Sequence, residues 1–71
     1  MKVRVQCRIM RETEKSILIR QEEPNSDPIN VWIPVLQCGH IAHLEDDGKK
    51  GISVQITITD RLANKHHLKC L

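Results

Sequence analysis

Two stretches of this chain alternate so regularly that they restrict its fold before anything else is weighed. Val3, Val5, Cys7 and Ile9 interleave with Lys2, Arg4, Gln6 and Arg8, and Ile52, Val54, Ile56 and Ile58 interleave with Ser53, Gln55, Thr57 and Thr59. Successive side chains on a strand point to opposite faces, so residues 2–9 and 52–58 each read as a β-strand with one dry and one wet side. The interior is constrained as well: 39% of the 71 residues are hydrophobic, yet Trp32 is the only aromatic. Ile, Leu and Val must therefore fill the core, and their β-branched majority favours strands. A chain of this length has room for one core, which predicts a single domain over residues 1–71. In so small a domain burial and chain entropy nearly cancel, leaving support from a disulfide, a metal or a homo-oligomeric partner open.

The rest of the chain fits between and after these strands. Ile17, Leu18 and Ile19 follow a charged segment over residues 11–15 at a spacing that suits an antiparallel hairpin with the first strand. Residues 21–28 contain Pro24, Asn25, Ser26, Asp27 and Pro28 and read as an exposed loop. Ile29, Val31 and Ile33 then alternate with Asn30 and Trp32 in a third strand that Pro34 ends or leaves on an edge. Trp32 faces away from those aliphatic residues; packing under a loop or helix is the expected role for one large aromatic, with an exposed contact role as the alternative. A fourth strand is expected over residues 40–44, after a bend or bulge at Gly39. Asp46, Asp47 and Gly48 begin a turn that Gly51 can end. Thr59 or Asp60 can cap a short closing helix through Leu62, Ala63 and Leu68. The expected architecture is mainly β with one short C-terminal helix: a small antiparallel open barrel or curled sheet, SH3-like or OB-like, built from sequential hairpins.

Glu12-Thr13-Glu14-Lys15 before Ile17-Leu18-Ile19, then Val31-Trp32-Ile33-Pro34, then Ile56-Thr57-Ile58 before Leu62-Ala63 span most of residues 12–63. This pattern resembles a loose group of small, largely uncharacterised phage and prophage proteins. The group often shows Lys-Ser-Gln after the proline and a helix ending in Gly-Leu, where this chain has Val35-Leu36-Gln37 and His67-Leu68. The resemblance implies a mobile-element origin and a small β architecture, and none of its motifs is catalytic.

Charge and reactive residues narrow the function. The net charge is +2, too mild to imply nucleic-acid binding unless the basic residues gather on one face. Lys2, Arg4 and Arg8 share the outer face of strand one and can adjoin Arg11 and Arg20 across the hairpin; with Trp32, Lys49 and Lys50 they form the expected binding surface for a partner or a nucleic acid. Single-strand binders normally carry several aromatic platforms, and Trp32 alone supplies one here. Cys38, His40, His67 and Cys70, with His43 and His66 nearby, are soft and borderline donors of the kind zinc takes, although neither cluster has a Cys-x2-Cys knuckle. No cofactor is otherwise expected.

Three unpaired-looking cysteines and the absence of a leading apolar segment predict a reducing, cytoplasmic location, and no apolar run approaches membrane-spanning length. Glu22-Glu23 and Asp46-Asp47 are carboxylate pairs in expected loops, Cys38 and His40 are adjacent only in sequence, and no glycine-rich phosphate loop is present. The expectation is a non-enzymatic protein-interaction module that modulates or inhibits a nucleic-acid-directed machine, such as a host defence complex. The alternatives are direct single-stranded nucleic-acid binding and a zinc-stabilised structural domain.

Overall fold

The structure is a computed structural model and describes residues 1–23, 25–45, 48 and 50–71. The elements in chain order are β1 (Lys2–Glu12), β2 (Ser16–Glu23), β3 (Ser26–Pro34), a 3-10 turn (Val35–Gln37), β4 (Ile41–His43), β5 (Ile52–Thr59) and α1 (Asp60–Lys65). The strands form one open antiparallel sheet in the order β3-β2-β1-β5-β4. The expected β-rich fold with a closing helix is thus present, but the strands are not joined only as sequential hairpins. β1 sits at the centre, pairing β2 on one side and β5 along Lys2–Ile9 on the other, so the link from β3 to β4 passes from one edge of the sheet to the other.

The alternating residues do what their period requires. Val5, Cys7 and Ile9 of β1, Ile17 and Ile19 of β2, Val31 and Ile33 of β3, and Val54, Ile56 and Ile58 of β5 form one buried cluster with Ala63 and Leu68. A flat sheet covered by one six-residue helix would leave much of this face wet, yet Ile33 on an edge strand and Ile56 on β5 are both fully buried. The inner face therefore curls over itself, with α1 and the segment after it closing the open side.

Two local expectations are corrected. Residues 21–28 are not a long loop: β2 runs to Glu23 and β3 starts at Ser26, with Glu23 opposite Ser26 and an irregular register after Gln21. Pro28 is tolerated because β3 is an edge strand, where a missing donor breaks no ladder. β1 also continues past Ile9 to Glu12 through a register shift between Ile9 and Arg11, and Thr13 closes the hairpin, its Oγ1 accepting from the Ser16 amide at 3.0 Å. The fourth strand, Ile41–His43, lies within the expected 40–44, with the Thr57 amide donating to the His40 carbonyl and the Leu44 amide to the Ser53 carbonyl at its ends, and Val35–Gln37 before it winds into a 3-10 turn. In the turn before β5, Gly48 (φ 77°) and Gly51 (φ 87°) take the left-handed backbone expected of them. The expectations placed on Pro24, Asp46, Asp47 and Lys49 lie outside the described residues.

Candidate interaction face and the notch beside it

Register fixes which side chains share the outer face. Asn30, Arg20, Arg8 and Ser53 lie opposite one another across β3, β2, β1 and β5. The neighbouring row carries Trp32, Leu18 and Arg11. Arg4 lies opposite Thr57 and Lys2 opposite Thr59, so Lys2, Arg4, Arg8 and Arg20 share one side of the sheet, and Arg11 joins them through the register shift after Ile9. Lys50 stands outside these rows, exposed in the loop next to Gly51.

Trp32 is not packed under a loop or helix. It is 48% exposed, because it alternates with the buried Val31 and Ile33 on an edge strand and no element among the described residues covers that side. Beyond Pro34 the 3-10 turn carries the exposed Val35 and presents Leu36 at 99% exposure. The turn is held in place by the Val35 amide, which donates to the Lys15 carbonyl at 2.8 Å. The sequence signal for Leu36 was present in Val35-Leu36, an apolar pair directly after a strand-ending proline, but its exposure depends on the turn that follows.

A second feature was not visible in the sequence. The β1–β2 ladder ends at Arg8 and Arg20, although both strands run on, and the chain after α1 enters the gap. Gln21, only 7% exposed, bridges it: its Nε2 donates to the Gln6 carbonyl at 3.2 Å and the Lys69 carbonyl at 2.8 Å, while its Oε1 accepts from the Lys69 amide at 2.6 Å. The Leu71 amide donates to the Arg4 carbonyl at 2.9 Å. These bonds satisfy backbone groups that the parting strands would leave orphaned. The result is a notch of about 350 Å³ whose lining includes Cys7, Arg8, Arg20, Gln21, Glu22 and Lys69.

Electrostatics differ along this lining. The Cys7 thiol is pushed up to about 12, first by burial and then by the nearby Cys38, so it is held as a neutral thiol. Burial likewise raises Cys38, which packs against the core. The Arg20 Nε lies 3.7 Å from Glu22 Oε1, too far for a hydrogen bond; it is shielded from solvent and has no hydrogen-bond partner.

The donors expected to share a zinc ion are not brought together. Cys38 lies half-buried before β4, the exposed His40 uses its carbonyl to accept from the Thr57 amide at 3.0 Å, His67 follows α1, and Cys70 lies by the notch. No group of three or more His, Cys, Asp or Glu among the described residues could hold a metal ion. Spacing placed these residues in two clusters, one before β4 and one after α1. No helix among the described residues is long and apolar enough to cross a membrane. Comparisons with protein-family models, curated proteins and solved structures find no match to the chain.

Proposed function

We propose that this protein is a non-enzymatic interaction module whose outer β1–β2–β3 face docks a protein segment carrying apolar anchors flanked by acidic residues. The observation that carries this reading is the registered pair of rows: Trp32 beside Leu18 and Arg11, and Arg20 opposite Arg8, with Leu36 exposed after β3. Trp and Arg are the side chains that most often dominate binding energy at protein interfaces, and an exposed Trp and Leu at one margin of a basic face supply both anchor and charge.

A photo-crosslinking residue placed at position 32, compared with one at Arg61 on α1, tests the reading. Crosslinking of a discrete protein from position 32, lost on Leu36→Asp, is expected; equal capture from both positions would contradict it. That such a partner belongs to a nucleic-acid-directed machine of a host, and that the chain is of mobile-element origin, rests on the resemblance of residues 12–63 alone.

The same two rows favour one alternative, direct binding of single-stranded nucleic acid with Trp32 as a stacking platform. A Trp32 emission change on adding an oligonucleotide, weakening steeply with salt, would select it. An unchanged emission at low salt selects the protein partner.

A further inference from the structure

We propose that the free edge of β3 pairs with the same edge of a second copy of this chain, joining two sheets through an antiparallel ladder centred on Val31. The Val35 amide donates to the Lys15 carbonyl at 2.8 Å, and that pair continues the register in which Ser16 faces Pro34 and Ile17 faces Ile33. Bonded and non-bonded pairs alternate along an antiparallel ladder, so Ile29, Val31 and Ile33 bond β2, while Pro28, Asn30, Trp32 and Pro34 turn their backbone groups outward. The β1 side agrees: the Thr13 amide donates to the Ser16 carbonyl at 2.8 Å, which gives Ser16 and Leu18 to β1 and leaves Ile17 and Ile19 to bond β3. No strand lies beyond β3 among the described residues, and Pro28, Asn30, Trp32 and Pro34 are all exposed. Between two prolines that have no amide hydrogen, the outward edge therefore presents the amides of Asn30 and Trp32.

Only one antiparallel register lets both amides of both copies exchange bonds with a residue that has a donor to return: Asn30 of each copy opposite Trp32 of the other. It sets one reciprocal pair on either side of a two-fold axis at Val31, and each Pro28 then stands opposite a Pro34, so the ladder stops at both ends on donorless residues. On the outer face the two Trp32 rings become diagonal neighbours within reach of each other. On the inner face Val31 meets Val31 and Ile29 meets Ile33, so the apolar side continues across the junction. Charge selects a second copy over the acid-flanked segment proposed for the outer face. None of the 11 Lys and Arg residues lies on β3, whose one charged residue is Asp27. Such a strand lacks the lysines that commonly guard an edge, and it meets its own copy without opposed like charges, since Asp27 falls opposite Val35. A domain this small also gains from burying more apolar area than one chain can supply. The Trp32 side chain stays on the outer face, so the pairing leaves that face open to a partner and does not depend on one.

Sedimentation velocity of the purified chain from micromolar to millimolar concentration, with hydrogen exchange at both limits, tests the pairing. A monomer-to-dimer shift is expected, with the Asn30 and Trp32 amides exchanging fast when dilute and slowly when concentrated, and the Val31 and Ile33 amides slow throughout. Asn30→Pro removes an outward donor without touching the β2 ladder and should weaken self-association by about tenfold or more. Trp32→Lys sets like charges beside the axis and should weaken it as well, which keeps the test decisive if the proline variant fails to fold. Pro28→Ala restores a donor opposite the Pro34 carbonyl and should tighten the dimer. Arg61→Gln, on α1, should leave it unchanged. A monomer at every concentration would overturn self-pairing and leave the edge to a foreign strand. A dimer that keeps its affinity in both Asn30→Pro and Trp32→Lys would place the contact elsewhere and overturn it too.

Discussion

His67 occupies backbone that a helix end ordinarily gives to glycine. Its φ is 57°, its amide donates to the Asn64 carbonyl, and the Leu68 amide donates to the Ala63 carbonyl, which together form a complete Schellman closure. Leu68 is thereby turned into the core, but a Cβ in the left-handed region costs roughly 1–2 kcal/mol. His67→Gly should therefore raise stability by about 1 kcal/mol, read as a higher urea midpoint with unchanged slope.

A second residue-scale prediction concerns Cys7. Its thiol ionises near 9.0 when unfolded and near 12 when folded, so below pH 9 both states keep the proton and stability is insensitive to it. As pH rises from 9 toward 12 the unfolded state alone loses the proton, and stability should fall by up to about 1.4 kcal/mol per unit. Cys38 adds to the fall with the same sign. Denaturation between pH 8 and 11 measures it, and Cys7→Ala should flatten the slope while lowering stability at every pH. The sequence showed His67 where glycine is expected and placed Cys7 on a dry face; the backbone angle and the nearness of Cys38 needed the assembled fold.

At the scale of elements, alternation located β5 almost to the residue and the start of β1, because one buried face enforces a strict period, and it lost β1 at the register shift after Ile9. It failed between β2 and β3, where prolines suggested a loop; an edge position makes Pro28 harmless, and edge or centre is a property of the whole sheet. The splay between β1 and β2 was equally hidden, since Gln21 looks like any strand glutamine until residue 69 arrives beside it. Gln21→Ala should leave the Gln6 and Lys69 backbone groups unpaired, costing about 1–3 kcal/mol and speeding hydrogen exchange at the Lys69 and Leu71 amides. Gly51→Ala should lower stability by a similar amount. Its φ is 87°, and an added Cβ would lie 2.8 Å from the Met10 Sδ and 3.0 Å from the Ile9 carbonyl oxygen. A thermal melt of each variant checks both values.

For the whole molecule, five strands curl their apolar side inward and leave a continuous outer face, with the single aromatic at one margin and arginines across the middle. The gathering of basic residues on one side was legible from the period of β1. The alignment of Arg20 with Arg8 and of Trp32 with Leu18 and Arg11 was not, because both depend on hairpin registers and on the shift after Ile9. The zinc-like donors show the reverse case, grouped in the sequence yet forming no set of three or more that could hold a metal ion among the described residues. The most direct test of the claim that this outer face is presented for binding is collisional quenching of Trp32, whose emission is unmixed with that of any other tryptophan. Native Trp32 should be quenched readily by iodide and much less by caesium, since it is half-exposed beside arginines. Blue-shifted emission quenched weakly and equally by both ions would contradict the account.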